Sequence, residues 1–215
     1  MQGRTTAKAA THRRIVSSAS RLMRRGGLAR ASVADVMRGA GLTVGGFYAH
    51  FRSKRAMDRE VLEQAFADVR QRSNARLTGE RGVAWLERYV GHYLAAAHRD
   101  TPATGCPAPA VVADLTHADA ALRRAFGTIV EGWSRRIVAH APATRHASER
   151  QRALATIALC IGGVTLSRSL RGQPLSDEIL KACRAWALPE TATPATRRLR
   201  PARRPASRRP LRTRA

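Results

Sequence analysis

Gly105-Cys106-Pro107 is the tripeptide whose residue types carry the most direct chemical consequence. Proline suits the first turn of a helix, which puts Cys106 at or beside an N-cap. A helix dipole at that place stabilises a thiolate and lowers the thiol pKa, with His98 and Arg99 adding positive charge. Cys106 is therefore a sensor candidate, set against a plain buried helix-start residue that never reacts. Cys160 and Cys183 read as packing residues. Three cysteines so far apart, with no CxxC pair, suit neither a disulfide framework nor structural zinc. His92, His98 and His117 offer no pair at the i, i+4 spacing of a metal site, and no phosphate loop or nucleophile motif occurs. No enzyme activity, cofactor or metal is expected.

Charge gives a firmer direction. Lys and Arg number 39 against 15 Asp and Glu, a formal net charge of +24 over 215 residues. Such an excess points to a polyanion, either nucleic acid or an anionic membrane surface. Residues 1–57 hold twelve basic side chains and a single acid, Asp35, whereas 58–188 hold eighteen and thirteen. The segment 189–215 holds nine arginines and Glu190. Only Lys8, Lys54 and Lys181 are lysines. Arginine is the better ligand for phosphate and base edges, although a GC-rich genome produces the same bias. The start of the chain has no apolar signal-peptide core, and the run from Ala153 to Leu166 is too short to span a bilayer. A soluble, cytoplasmic protein without a membrane partner is expected.

The elements that position these residues are helices, and the fold class is all-α. Apolar residues recur at helical period almost everywhere, with no convincing alternating strand. Ile15, Ala19, Leu22 and Met23 share a face ended by Gly26-Gly27. Ser32 N-caps a short helix through Val33, Val36, Met37 and Ala40, with Asp35 as an imperfect capping partner, and Gly41 closes it. Val44, Phe47, Tyr48 and Phe51 repeat the pattern. Ser53 caps a helix that buries Met57, Val61, Leu62, Ala65 and Val69. Later helices carry Val83, Leu86, Tyr89, Val90, Tyr93 and Leu94, and then Asp119 to His140. Ser148, with Gln151 at its capping-box position, opens a long one, and Ser176 opens the last. The Arg/Pro-rich tail cannot repay its ordering entropy and is expected to be disordered.

Two short helices joined by Gly41-Leu42-Thr43 form a helix-turn-helix, its second helix sized for a major groove about 12 Å wide. The outward face offers Thr43, Val44, Gly45, Gly46, Tyr48 and His50. Adjacent glycines inside a helix, each costing about 1 kcal/mol against alanine, suit a backbone that approaches another surface closely. The run from Ser32 to Met57, above all Phe47-Tyr48-x-His50-Phe51-x-Ser53-Lys54, resembles the DNA-binding head of TetR-type transcriptional regulators. That resemblance implies that Tyr48, His50 and Lys54 hold phosphates, with Ser32 a further phosphate contact. Thr43 and Val44 are the base-reading candidates, with Arg30 or Arg38 from the flank, and shape readout supplies part of the specificity.

Beyond residue 57 the resemblance is weaker. It implies a helical body with an effector pocket in its middle helices and a homodimer formed through the last two, here Ala153–Leu170 and Ser176–Leu188. Gly162-Gly163 would let two helices approach closely. Trp85, Tyr89, His92, Tyr93, Phe126 and Trp133 are pocket candidates, against the alternative of ordinary core. The Gly-Cys followed by an Ala-rich helix resembles a branch containing electrophile-responsive, N-ethylmaleimide-type repressors, in which cysteine modification releases DNA. The expected organisation is a basic arm (1–9), a helix-turn-helix domain (10–57), an effector-binding and dimerisation domain (58–188) and the tail (189–215). The function expected is a regulator, usually a repressor, that a small-molecule or electrophile effector releases from a palindromic operator. The competing reading is a non-specific basic DNA-coating protein, and a uniform footprint would distinguish it.

Overall fold

The computed structural model describes residues 2–143 and 148–188, without the side chains of residues 2–5. The expected tail lies outside the described residues. Nine α-helices and one 3-10 helix follow in chain order, with no strand among the described residues. The head comprises α1 (Gln2–Gly26), α2 (Val33–Gly39) and the 3-10 helix Val44–Ala49. Then come α3 (Lys54–Arg76), α4 (Gly82–Tyr93), α5 (Ala96–Asp100), α6 (Ala108–Leu115), α7 (Ala120–His140), α8 (Glu149–Ser169) and α9 (Pro174–Ala187). Helix α1 runs without a break through the residues expected to form a separate basic arm.

Side-chain caps set four of the helix starts. Ser32, Ser53 and Asp119 each accept a hydrogen bond from the backbone N–H three residues on, at 3.1, 3.1 and 2.8 Å. Ser148 and Gln151 form the full reciprocal box that opens α8. Gly41, at φ +67°, makes the left-handed turn between the two helices of the helix-turn-helix. The last helix departs from expectation. It starts at Pro174, with Gln173 at the N-cap, because proline is suited to the first turn. Ser176 lies inside it, buried, and its hydroxyl donates to the carbonyl of Ser167 on α8 at 2.7 Å.

One continuous core joins head and body. Ile15, Met23, Met37, Phe47 and Met57 are fully buried in the head, and Trp85, Leu86, Leu94 and Ile137 in the body. Helix α3 belongs to both, so the expected boundary at residue 57 falls within an unbroken helix. Gly163 is the close approach between α8 and α9. A Cβ there would meet Cys183 Sγ and Leu94 Cδ2, each at 2.9 Å.

Candidate nucleic-acid interface and effector cavity

The second element of the helix-turn-helix is wound as a 3-10 helix, tighter than the α-helix its periodicity suggests. The apolar stripe is divided in exposure. Phe47 and Phe51 are buried and stacked at 5.5 Å, whereas Val44 is 48% and Tyr48 72% exposed. Thr43 precedes the element, exposed and without a side-chain capping bond. Gly45 has nothing within 4 Å of where a Cβ would stand, so its backbone is open to an approaching surface. Gly46 lies closer in, with Met37 Cε 3.6 Å from its hypothetical Cβ. Thr43, Val44, Gly45 and Tyr48 are thus all open to solvent, on an element anchored by the two phenylalanines.

The other four expected DNA-contact residues are less free. His50 is half-buried, with its ring 5.7 Å from that of His12 and its Nδ1 buried without a partner. Burial first, then His12 and Lys8, hold its pKa below the ordinary value. Lys54 donates to Asp58 Oδ2 at 2.6 Å and to the Leu28 carbonyl at 3.3 Å. An ammonium has three N–H donors, so one remains for an external anion. Its partner Asp58 is buried, and that burial raises the carboxyl pKa against the opposing pull of Lys54. Ser32 donates its hydroxyl proton to Asp35 Oδ2 at 2.6 Å and accepts from the Asp35 amide, so the cap itself occupies the hydroxyl. Of the flanking candidates, Arg38 pairs with Asp35, and Arg30 is exposed.

In the body, α3, α4, α7 and the segment before α6 enclose a cavity of about 380 Å³. Tyr89, His92, Tyr93, Trp133 and Cys106 line it. Trp85 and Phe126 do not. Trp85 is fully buried and stacks between Tyr89 (4.8 Å) and His140 (5.1 Å), which turns it toward a second cavity of about 240 Å³. Phe126 packs behind Phe66, the residue that reaches the wall in its place. Trp133 Nε1 donates to the Tyr89 hydroxyl, while the Tyr93 hydroxyl is buried without a partner.

Cys106 requires a correction. It stands just before the N-cap Pro107, as its tripeptide suggests, but it is only 3% exposed. Burial dominates and raises its pKa, with Tyr93, Ala108, Arg24 and Arg168 offsetting only part of the effect. The expected help from His98 fails for a geometric reason. His98 Nδ1 is bonded to the Tyr93 carbonyl at 2.6 Å, and its Nε2 accepts the Cys106 N–H at 2.9 Å. An accepting Nε2 is unprotonated, and burial takes the imidazole pKa down to about 4. The Cys106 thiol is therefore a neutral wall group beside a neutral imidazole. Arg99 turns away to Asp100 and Asp177.

Residues 15–61 match the model of the bacterial regulatory proteins of the tetR family. The head is thus that of a TetR-type transcriptional regulator. The fold of the described residues is also that of solved regulators of this kind. A TetR regulator from Chloroflexus aurantiacus superposes with a TM-score of 0.71 at 23% identity, covering 85% of this chain and 94% of its own. One from Cytophaga hutchinsonii gives 0.70 at 20%, covering 84% and 94%. Reduced NemR of Escherichia coli gives 0.67 at 21%, covering 83% and 95%. No curated protein matches the sequence.

A residue that carries no motif joins the head to the body. Arg24, on α1 and 4% exposed, donates to Ser20 Oγ (3.1 Å), the Ala65 carbonyl of α3 (3.0 Å), and the Thr104 and Gly105 carbonyls (3.2 and 2.8 Å). Thr104 and Gly105 are cavity wall. A second tie runs from the Leu28 N–H to Asp114 Oδ2 of α6, at 2.6 Å. An arginine on the polar margin of an amphipathic helix carries no local sign of burial, so nothing in its neighbourhood marked it. The cavity face of α3 was more accessible to sequence reasoning. Phe66, Val69, Arg70, Ser73 and Leu77 all line the cavity and recur at helical spacing.

Proposed function

We propose that this regulator is a dimeric repressor that binds a palindromic operator and leaves it when a small molecule occupies the cavity. The observation that carries the reading is the tie made by Arg24, which links α1 of the head to the Thr104–Gly105 wall of the cavity. A ligand that displaces that wall must shift α1 or break buried hydrogen bonds. Such an effector works by preferring the conformation whose heads do not fit the operator. Thr43 and Val44 read bases, the open backbone at Gly45-Gly46 approaches the groove floor, and Tyr48, His50 and Lys54 hold phosphates. Ser32 acts mainly through the cap it makes. The protein works where the chromosome lies, in the cytoplasm.

The homodimer is formed by α8 and α9. Support comes from Leu154, Leu166 and Leu175, large apolar groups exposed on these two helices, and from Trp186, 83% exposed near the end of α9. Gly163 is spent within the chain, whereas Gly162 faces open space and suits close approach by a second copy. Among the cavity residues Tyr89, Tyr93 and Trp133 contact the effector, Trp85 supports Tyr89 from behind, and Cys106 serves as wall.

Selection of bound sequences from a random DNA pool tests the reading. A short palindrome supports it, and its affinity should fall with salt at a log–log slope near about −7 for about eight phosphate contacts. Tight binding with no enriched sequence would replace it with a basic protein that coats DNA.

A further inference from the structure

The cavity has a cationic rim on an aromatic floor. Phe66, Tyr93 and Trp133 supply the floor, and Arg70, Arg72, Arg76 and Arg136 stand around it. None of these arginines has a carboxylate within 4 Å among the described residues. Arg72 donates to the Thr104 carbonyl at 3.1 Å, Arg76 meets His92, and Arg136 donates to Ser73 Oγ at 3.0 Å. The one acid at the rim, Glu63, is held by Arg59 at 3.0 Å and points its charge to that pair. Arg136 is half-buried, with its guanidinium 5.7 Å from the Trp85 ring centroid and 5.8 Å from that of Tyr89. A half-buried guanidinium with one neutral hydrogen-bond partner retains several unused donors, and leaving them without a counter-ion is costly. The Tyr93 hydroxyl, more than nine-tenths buried in the same wall, is also unpartnered.

We infer that the cavity takes an amphiphilic anion: an acyl or aromatic body on the Phe66–Trp133 floor, with one carboxylate, sulfonate or phosphate head among Arg70, Arg72, Arg76 and Arg136. This rests on reading the cavity as the effector site. A volume of about 380 Å³ accommodates one small ligand of this kind. Arginine supplies planar, paired donors for such a head, and charge-assisted bonds are the stronger ones. A cationic amphiphile would meet four like charges, and a neutral one would leave them all unanswered.

The test is calorimetric titration of the full chain, at physiological salt, with decanoate, 1-decanol and decyltrimethylammonium, which share a tail and differ in head. Decanoate should fill one site per chain about tenfold more tightly than either of the others. R136Q and R70Q should each reduce that preference, while R123Q, on the exposed face of α7, should leave it intact. R70Q keeps the test meaningful if the more buried R136Q does not fold. Equal affinity for the three compounds, tighter binding of the cation, no binding of decanoate, or a preference that survives both variants would overturn the inference. Operator release is scored separately by fluorescence anisotropy. Anion-selective binding that leaves DNA in place would uphold the ligand class and overturn the effector reading instead.

Discussion

The head and the cavity both collect groups with spare hydrogen-bonding capacity, but they are built in opposite ways. In the head, the outward groups from Thr43 to Lys54 come from twelve consecutive residues, and two buried phenylalanines at i and i+4 hold the whole face. In the body, the cavity wall draws on α3, α4, α7 and the loop before α6. A contiguous site is fixed by local winding and can be carried as a motif. A dispersed one exists only while four segments stay packed, so it responds to anything that alters their packing. A surface that reads DNA gains from the first construction, and a cavity that senses a ligand gains from the second. Arg24 lies where the two meet.

The comparison breaks most visibly at that residue. Arg24→Met should leave the Ala65, Thr104 and Gly105 carbonyls without their donor and cost about 3–5 kcal/mol in chemical denaturation. A loss below about 1 kcal/mol would mean that apolar packing and the Leu28–Asp114 bond hold head and body together without Arg24. Acid should act next, through His98. Its folded pKa of about 4 lies below the ordinary 6.5, so the fold favours the neutral ring. That contribution is fully present above the unfolded value and is lost as pH falls through the folded one, about 3 kcal/mol in all. His98→Gln should flatten the decline between those two values in urea midpoints, while operator contacts at neutral pH stay as they are.

Effects on the DNA face should be smaller and should fall on binding. Lys54→Ala removes the proposed phosphate donor and leaves the buried Asp58 carboxylate without its cation. Operator affinity should drop about tenfold at matched salt, with stability restored in part by adding Asp58→Asn. Tyr48→Phe deletes only an exposed hydroxyl, and a loss of about 1 kcal/mol in binding, with an unchanged preferred sequence, is expected. An unchanged affinity would remove Tyr48 from the phosphate contacts. Gly45→Ala gives the finest distinction. Nothing stands near its Cβ, so the fold should gain up to about 1 kcal/mol while operator binding weakens. If both rise together, no surface approaches the backbone there.

The expectations that failed share one cause. The apolar period of 44–51 predicts an α-helix, whereas Val44–Ala49 is wound as a 3-10 helix against the head core. Cys106 was placed correctly beside a helix start, but its pKa depends on burial by segments far away in the chain. Trp85 and Phe126 lie off the larger cavity, and Phe66 lines it, because periodicity reports which face of a helix is apolar without telling what that face meets.

By itself the sequence determined the all-α class, most of the capped helix starts, and the position of a helix-turn-helix head whose motif is contiguous. Those features depend on side chains within one or two turns of each other, where spacing in sequence is spacing in space. Tertiary structure alone decided that the Cys106 thiol is neutral and that His98 is its backbone's acceptor rather than a charge. It also decided that Arg24 ties the head to the cavity, and that four arginines from α3 and α7 surround one aromatic floor. Each of these depends on the dielectric and the partners that packing supplies, from His98 eight residues before Cys106 to Thr104 eighty beyond Arg24, which no helical period records.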